Sequence, residues 1–589
     1  MIVFFRHAAS LCLLLMSSIV SIAVLSRSLG LHFFFAQRLA LVLMPWLMMF
    51  GIVLATKTSE HLCLGWRFPK KLLGLNRLWA ATVCGIFAWY GALHTRDLFH
   101  LWHQSGGFAG VFDSIPVPYW CVASAVPIGF ACNAWLFTQK ENTPHGLPIF
   151  VLLGSAAFLV PCTLGDFSSQ RMILFADRIF EFSGQHILLA IPFFMFSGAI
   201  MAESSMASRL VQLADACLGN IPGGLGIASV VACVLFAAIS GSSPATLMAV
   251  GSSVVPALIH AGYRDDRAIG LVTSAGTLGV VIPPSIPMLV YAMIAGQHHP
   301  IDLSELFIAG IGPGLLIAGL LAVTVVMTAP KKRQGAASSA PTCALIKQKS
   351  AFKRGAPALM MPIAILGGIY SGLFSPTEAS ALSVAYAVFL AIVVYRDFHW
   401  TKLWDLAAHT ATMLGALVAI MIMATIIADL LIDQQLPQHA VTWLIDRAWT
   451  PTAFLLAVNG LLLVAGCFME SLGAIVLFAP MIAPMGFMLG IDPLHLAIIT
   501  IVNLEIGFIT PPFGINLFVA SSLFKKPISQ ITRATVPYML VMLIGLLIIT
   551  YVPAITLFPI KRTLDAGTTP KVFSVEELMR QTDTPSERK

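Results

Sequence analysis

The sequence is poor in charged side chains. Lys, Arg, Asp and Glu make up only 10% of its 589 residues, whereas ordinary soluble domains carry about 25%. So few charges cannot cover the surface of a soluble protein of this length, and 58% of the residues are hydrophobic. These proportions exclude a cytosolic enzyme, a nucleic-acid-binding protein and a disordered chain. They predict an all-α polytopic protein of the lipid bilayer, with about 15 transmembrane helices of roughly 20 residues each.

Motifs for nucleotide-driven and metal-dependent chemistry are absent as well. The sequence contains no P-loop, no H-E-x-x-H motif and no evident catalytic triad. None of the ten cysteines forms a C-x-x-C pair, so neither a zinc site nor a disulfide framework is indicated. We therefore expect neither a primary pump nor an enzyme, and no cofactor.

Two clusters of basic residues indicate which segments face the cytoplasm. Residues 57–77 contain five Lys or Arg and one acid, and residues 331–354 contain seven and no acid. Cytoplasmic loops of membrane proteins carry such an excess of Lys and Arg, so both segments are predicted to be cytoplasmic. The first cluster lies within a group of four apolar segments, near residues 9–26, 37–56, 78–95 and 117–137.

These features divide the chain into six parts. The boundaries are residues 1–140 for a four-helix unit, 141–184 for a linker and short helix, 185–330 for a first half, 331–354 for a basic cytoplasmic loop, 355–562 for a second half and 563–589 for a polar tail.

The two halves contain an internal repeat. The run Gly279-Val-Val-Ile-Pro-Pro-Ser-Ile-Pro287 matches Gly507-Phe-Ile-Thr-Pro-Pro-Phe-Gly-Ile515 at an offset of 228 residues. Other identities at the same offset, without a gap, are Ser243 with Ser471, Pro256 with Pro484, Gly262 with Gly490, Leu289 with Leu517 and Ala292 with Ala520. Each repeat is predicted to hold a re-entrant hairpin with a Ser/Gly-rich break, followed by a helix broken at Gly-x-x-x-Pro-Pro. Paired broken helices in two halves are the sequence mark of a transporter's midplane site.

The breaks suit an ion and an organic anion together. Proline cannot donate a backbone hydrogen bond, so carbonyls at Gly279 to Ile282 and Gly507 to Thr510 lose helical partners. Unpaired carbonyls are costly in lipid but fit a hard cation such as sodium. The half-helices that follow each break present N–H groups and a positive dipole end, which can hold a carboxylate.

These runs resemble the large membrane subunit, the DctM type, of the TRAP (tripartite ATP-independent periplasmic) transporters. The matching runs are Leu189-Ala-Ile-Pro-Phe-Phe-Met-Phe-Ser-Gly-Ala-Ile-Met201, Ile239-Ser-Gly-Ser-Ser-Pro-Ala-Thr246, Gly279 to Pro287, Gly368-Ile-Tyr-Ser-Gly-Leu-Phe-Ser-Pro-Thr-Glu-Ala379, and Asn503-Leu-Glu-Ile-Gly-Phe-Ile-Thr-Pro-Pro-Phe-Gly514. Residues 1–140 resemble the small DctQ subunit through their four helices, Glu60-His61 and Ile115-Pro-Val-Pro. The chain is thus similar to a fusion of the two subunits.

The resemblance implies an elevator-type secondary transporter of the bacterial inner membrane. Sodium is the coupling ion, and a periplasmic substrate-binding protein delivers a small organic acid, such as a C4-dicarboxylate or sialic acid. The small subunit enlarges the immobile scaffold, while a domain that carries both hairpins moves across the membrane.

By position, the resemblance also implies site residues. One sodium site uses Ser240 with the carbonyls of Gly279, Ile282 and Pro284, and the other uses Gly466, Gly507, Thr510 and Pro512. A hydroxyl that some members carry is absent at Ala237.

Further candidates lie at the same breaks. Ser243, Thr246 and Asn516 are predicted to contact the substrate. Glu470 and Glu505 lie in apolar sequence beside the second-repeat breaks, and intramembrane acids are functional candidates by default. They either couple protons or shape the ion site, or else each caps an interrupted helix or pairs with a scaffold residue.

Two alternatives to this function remain. One is an elevator-type anion/sodium symporter that works without a binding protein, which would leave residues 1–140 unexplained. The other is a channel or membrane enzyme. Saturable, sodium-dependent uptake would dismiss both the channel and the enzyme, and uptake without a binding protein would favour the symporter.

Overall fold

The computed structural model describes most of the chain. The described residues are 2–28, 36–58, 73–104, 119–139, 149–163, 168–219, 221, 223–296, 301–329, 341–447, 449–512 and 514–558. Within these ranges all regular elements are helices, because long apolar runs in lipid satisfy their backbone groups internally only as helices.

Helices α1 to α9 are Ile2–Ser28, Ala36–Thr58, Leu73–Gln104, Tyr119–Ala123, Ala125–Thr138, Ile149–Thr163, Ser169–Ser183, Ala190–Glu203 and Met206–Leu218. Helices α10 to α17 are Gly224–Ser240, Ser243–His260, Asp265–Ala275, Leu278–Val281, Ile286–Ala295, Leu303–Thr328, Pro341–Tyr370 and Pro376–Phe389. Helices α18 to α25 are Trp400–Asp433, Leu436–Asp446, Pro451–Phe468, Ser471–Met488, Pro493–Gly507, Ile515–Phe524, Ile528–Tyr551 and Ala554–Leu557.

The polytopic architecture is confirmed, but the count of about 15 spans is not. Among the described residues, 11 helices are long and apolar enough to cross a membrane, or up to 12 when a bent pair of helices is included. Four more apolar helices, Phe150–Leu159, Gly224–Ala238, Pro493–Gly507 and Ile515–Phe524, are shorter. Helices α11, α20 and α21 meet the length criterion, so the re-entrant interpretation of the hairpins stays a prediction.

The four predicted N-terminal segments are helical, and the helices pack against the second half. Helix α2 crosses α18 at two facing glycines, Gly51 and Gly415. A Cβ atom on Gly415 would overlap the backbone of Gly51 and Ile52. The two helix backbones therefore approach each other as closely as helices can, which small residues permit in membranes.

Polar contacts hold α1 against α17 and α18 at both ends. Arg6 pairs with Asp405 at 2.6 Å, and the guanidinium of Arg27 donates to both carboxylate oxygens of Glu378 at 2.8 and 3.1 Å. Between these pairs the Ser21 hydroxyl donates to the carbonyl of Ala381 at 2.9 Å. The contacts span the length of α1, so the N-terminal unit and helices α17 and α18 form one continuous body.

Two predicted boundaries need correction or refinement. The basic loop was expected to reach residue 354, but α16 begins at Pro341. Its Ala, Leu, Lys and Gln residues are good helix formers, so the helix includes the second part of the basic stretch as well as the apolar residues that follow. Within the predicted linker region, α6 and α7 are both helical, and Arg178 of α7 pairs with Asp429 of α18 at 3.3 Å. Residues 141–148 and 164–167 of the predicted linker and the tail at 563–589 lie outside the described residues.

The glycine crossing can be tested with a matched pair of Gly→Ala variants. Gly415→Ala should lower the melting temperature of the purified protein, because relieving the overlap costs about 1–3 kcal/mol. Gly367→Ala in α16 is the control, since a Cβ there meets nothing within 4 Å and alanine favours helix. Equal melting temperatures for the two variants would contradict the close crossing.

Candidate functional site

The tip of the first hairpin is closed by hydroxyl groups. Helix α10 ends at Ser240, and Gly241 takes the left-handed conformation (φ 56°) that lets the chain reverse. The hydroxyls of Ser240 and Thr246 lie 2.9 Å apart, and the Thr246 hydroxyl also donates to the carbonyl of Ser242 at 2.8 Å. Several oxygen atoms therefore converge where α10 meets α11.

The first broken helix comprises α12, α13 and α14. Its two parts, Asp265–Val281 and Ile286–Ala295, meet at 42°. Pro283 and Pro284 occupy the positions whose N–H groups would have bonded the carbonyls of residues 279 and 280. Helix α14 restarts at Ser285, whose hydroxyl accepts from the amide of Met288 at 3.4 Å.

The first hairpin tip packs directly on this break. A Cβ on Gly279 would lie 2.7 Å from the Thr246 hydroxyl oxygen and 3.0 Å from the Ser242 carbonyl oxygen. A Cβ on Gly241 would lie 3.2 Å from the Pro284 carbonyl oxygen. Of the predicted first ion set, the structure thus brings Ser240, Gly279 and Pro284 to one place.

Two other residues complete the description of this first set. Ile282 lies at the break but turns its side chain toward Gly314 of α15, where a Cβ would be 2.6 Å from its Cγ1 atom. The sequence analysis did not predict the carbonyl of Ser242 as part of this set. The hydroxyl side chains that match at the 228-residue offset give no indication of a backbone carbonyl.

The second hairpin packs on the second break through two glycines. A Cβ on Gly466, near the end of α20, would lie 3.0 Å from the Cα of Gly507 and 3.1 Å from the Leu504 carbonyl oxygen. Both glycines are buried. The second hairpin and break therefore meet through backbone, as a site built from carbonyls requires. Thr510 and Pro512 lie further along the break, and Pro512 is exposed.

Most carbonyls of the second break find partners, contrary to the expectation from sequence. The Gly507 carbonyl accepts from the amide of Thr510 at 3.0 Å, and the Phe508 carbonyl accepts from the amide of Asn516 at 3.1 Å. The Thr510 hydroxyl donates to the Ile506 carbonyl at 2.7 Å. The chain curls back on itself after the helix, which replaces the hydrogen bonds that Pro511 and Pro512 cannot make. A carbonyl oxygen has two lone pairs, so one remains for an ion.

Helix α24 contacts both breaks near its middle. Thr277 of the first repeat points its hydroxyl at the sulfur of Met542 at 3.9 Å, and Thr510 of the second points at Met539 at 3.5 Å. Position 277 precedes the first proline pair by six residues, and position 510 is adjacent to the second pair. Both chain breaks therefore lie at the same level of the molecule, as the midplane prediction requires.

The two repeats enter this level from opposite ends of α24. Lys526, before the start of α24, pairs with Asp265 at the start of α12 at 3.5 Å. His495, at the start of α22, contacts the carbonyl of Thr550 near the end of α24 at 3.3 Å. The repeats thus run antiparallel, which is the inverted arrangement of many secondary transporters.

A hydrogen bond joins the repeats at the predicted substrate residues. The side-chain amide nitrogen of Asn516 donates to the hydroxyl of Ser243 at 2.5 Å, although 273 residues separate them. Both side chains are fully buried, and the Asn516 amide oxygen has no hydrogen-bond partner among the described residues. Thr246 lies one turn further along α11, against the first ion set. The predicted ion and substrate residues of the first hairpin are therefore adjacent.

The two acids lie on either side of the contact between the second hairpin and the second broken helix, Glu470 in the hairpin and Glu505 in α22. Glu505 is fully buried in α22, and its carboxylate oxygens form no hydrogen bond of normal geometry within the described structure. The polar groups that interact with the Glu505 carboxyl group are the Ser471 hydroxyl and the Glu470 carboxylate. Glu470 is the partly buried residue before α21, and its side chain does not cap that helix.

Comparison with known proteins adds independent information. Residues 143–555 match the family described as "Tripartite ATP-independent periplasmic transporter, DctM component". The chain is 42% identical over 391 residues to the C4-dicarboxylate TRAP transporter large permease protein DctM of Pseudomonas aeruginosa, covering 66% of this chain and 90% of that protein. It is 37% identical over 413 residues to the isethionate TRAP transporter permease protein DctMQ of Oleidesulfovibrio alaskensis, covering 70% and 64%.

A solved structure shares the fold at low sequence identity. The Alcanivorax borkumensis YdaH transporter aligns with 68% of this chain and 97% of its own, with a TM-score of 0.52 and 16% identity. The sequence motifs, the family match over residues 143–555 and the fold shared with a membrane transporter agree with one another. The chain is a multi-pass inner-membrane protein that belongs to the DctM family of TRAP transporter permeases.

Proposed function

We propose that this permease is a sodium-driven symporter of a small organic anion, delivered by a periplasmic substrate-binding protein and carried by an elevator movement. The observation that carries the proposal is the meeting of both repeats at one level, where oxygen atoms of the first hairpin face the first break and Asn516 bridges to Ser243. A carboxylate such as a C4-dicarboxylate or sialic acid fits the site.

Sodium is supported by the chemistry of the donors at the first break. The groups beside Gly279 are the hydroxyls of Ser240 and Thr246 and the carbonyls of Ser242 and Pro284. They are neutral oxygen atoms, which suit a hard monovalent cation, and they include no Cys or His. Among the described residues no group of three or more His, Cys, Asp or Glu could hold a metal ion, so a site for a transition metal is not favoured.

An anionic substrate is supported by the half-helices and the amide bridge. Helices α11 and α23 both begin beside the Asn516–Ser243 hydrogen bond, and helix N-termini favour negative charge. The two relatives are described as transporters for C4-dicarboxylate and isethionate, and both compounds are small organic anions. The substrate class proposed here is therefore a small carboxylate or related acid.

A scaffold role for the N-terminal unit is supported by the helices against which it packs. Helices α1 and α2 pack on α17 and α18, and none of these four helices carries a proposed ion or substrate residue. We infer that this body stays fixed, as a fused small subunit of the DctQ type would, while the hairpins and broken helices move.

The overall proposal is tested by uptake into proteoliposomes. Uptake of a labelled C4-dicarboxylate or sialic acid should require both an inward sodium gradient and the substrate-loaded binding protein. Uptake with sodium but without the binding protein would instead favour the independent symporter. Current that persists without sodium and without a binding protein would indicate a channel.

The first ion site is tested by removing its hydroxyls. Ser240→Ala and Thr246→Val should each raise the sodium concentration for half-maximal uptake about tenfold or more, because each removes an oxygen from the site. Ser252→Ala is the matched control, since its exposed hydroxyl on the same hairpin bonds only its own helix at 3.3 Å. Sodium dependence that is unchanged in both site variants would remove the hairpin from the ion site.

The substrate assignment of Asn516 is tested by adding a negative charge. Asn516→Asp keeps the size of the side chain but should repel an anion, so KM for the substrate should rise about tenfold or more. Ser522→Asp adds the same charge to an exposed position of the same helix and should leave KM unchanged. An equal change in both variants would show a general effect of charge on α23 rather than substrate contact.

A further inference from the structure

Glu505 is a buried carboxylate without a counter-charge. Its side chain is 0% exposed, and in the described part of the chain no Lys, Arg or His lies within ion-pair distance of it. The ionisable group that acts on it is another acid, Glu470. An uncompensated charge in such surroundings is strongly unfavourable, so the carboxyl group is either protonated or balanced by a bound cation.

The other repeat has no such charge. At the repeat offset of 228 residues, Glu505 corresponds to Thr277 and Glu470 corresponds to Ser242. The Thr277 hydroxyl donates to the Ser274 carbonyl at 2.7 Å, so it is already satisfied within its own helix. The first break is therefore built from neutral groups, while the second has two acids in the equivalent positions.

Glu505 lies at the level of the second ion set, and its carboxyl group interacts with Ser471 at the start of α21, in the second hairpin. It precedes Gly507 by two residues, a rise of about 3 Å along the helix axis. Gly507 and Leu504 in turn contact Gly466 of the second hairpin. The acid thus lies at the same level as the backbone contact proposed to hold the second ion.

A simple capping role does not account for this acid. The residue before α21 is Glu470, not Glu505, and no backbone amide of that helix donates to either Glu505 oxygen. Apart from the Ser471 hydroxyl and the Glu470 carboxylate, no polar group of the described residues acts on this side chain, so its oxygen atoms are available to a cation.

We propose that the Glu505 carboxylate is the counter-charge for the sodium ion at the second break, so that the second site binds sodium more tightly than the first and fills before it. This proposal rests on the sodium coupling proposed above and adds an order of ion binding to it. The ion at the second break binds first and neutralises Glu505. The ion at the first break then binds among neutral groups, beside Ser243 and Asn516, where the anionic substrate binds.

The test is direct sodium binding by the purified full-length protein, measured with radioactive sodium and by the thermal shift in sodium against choline at constant ionic strength. The wild type should bind two ions with dissociation constants that differ about tenfold or more. Glu505→Gln, which keeps the size but removes the charge, should abolish the tighter phase and leave the weaker one. Glu470→Gln should weaken the tighter phase less than Glu505→Gln does, because the Glu470 side chain is only partly buried.

Glu203→Gln is the matched control, because its carboxylate is half exposed and pairs with Lys402 at 2.8 Å, away from the breaks. It should keep both phases. Two equal sites in the wild type, or an unchanged tight phase in Glu505→Gln, would overturn the proposal while leaving sodium coupling intact. No sodium-specific binding in the wild type would instead overturn the proposed coupling itself. Where Glu505→Gln does not fold, two equal sites in the wild type would still overturn the proposal, and a weaker tight phase in Glu470→Gln would support it.

Discussion

The architecture of the site depends on two proline pairs, each of which removes helical hydrogen bonds. Pro283-Pro284 and Pro511-Pro512 interrupt α12–α14 and α22–α23 at the level of the middle of α24. An interruption inside hydrocarbon is tolerated only where protein groups or a bound ion satisfy the backbone. At the second break the chain itself supplies most of those groups by curling back after Gly507. The hairpin tips pack on the breaks, and a glycine at each contact allows the backbones to meet: Gly279 at the first break and Gly466 with Gly507 at the second.

This constraint explains why the site needs so few charged side chains. Hydroxyls, carbonyls and one amide bridge account for most of its polar groups. The scaffold, by contrast, is held by charge pairs at its ends and by the glycine crossing of α2 and α18. Strong, fixed contacts therefore lie in the body that carries no site residue, and the site itself combines small residues with neutral oxygen atoms.

The breaks were predictable from sequence, because proline fixes the backbone and removes an N–H group wherever it occurs, while glycine permits turns and close contacts. The 228-residue offset predicted the paired breaks, and the resemblance to the DctM subunit supplied the ion set, which stays a prediction. The hydrogen bond between Asn516 and Ser243 was not predictable, since it joins residues 273 positions apart and depends on how the repeats pack. The antiparallel entry along α24 likewise follows from tertiary contacts. The curled chain around Thr510 is closed by local backbone hydrogen bonds, which the proline pair alone does not indicate. The start of α16 at Pro341 was not predictable from the charge pattern, because clustered basic residues indicate a cytoplasmic segment and do not distinguish a loop from a helix, which Lys and Gln also favour.

The central claim is that the two chain breaks are ion sites. It is tested most directly by comparing density maps of the purified protein in sodium and in choline. The account predicts two sodium-dependent densities, one between the Ser240 hydroxyl and Gly279, and one between Gly466 and Gly507. Density at both places that is unchanged when choline replaces sodium, or sodium density found only elsewhere, would contradict it.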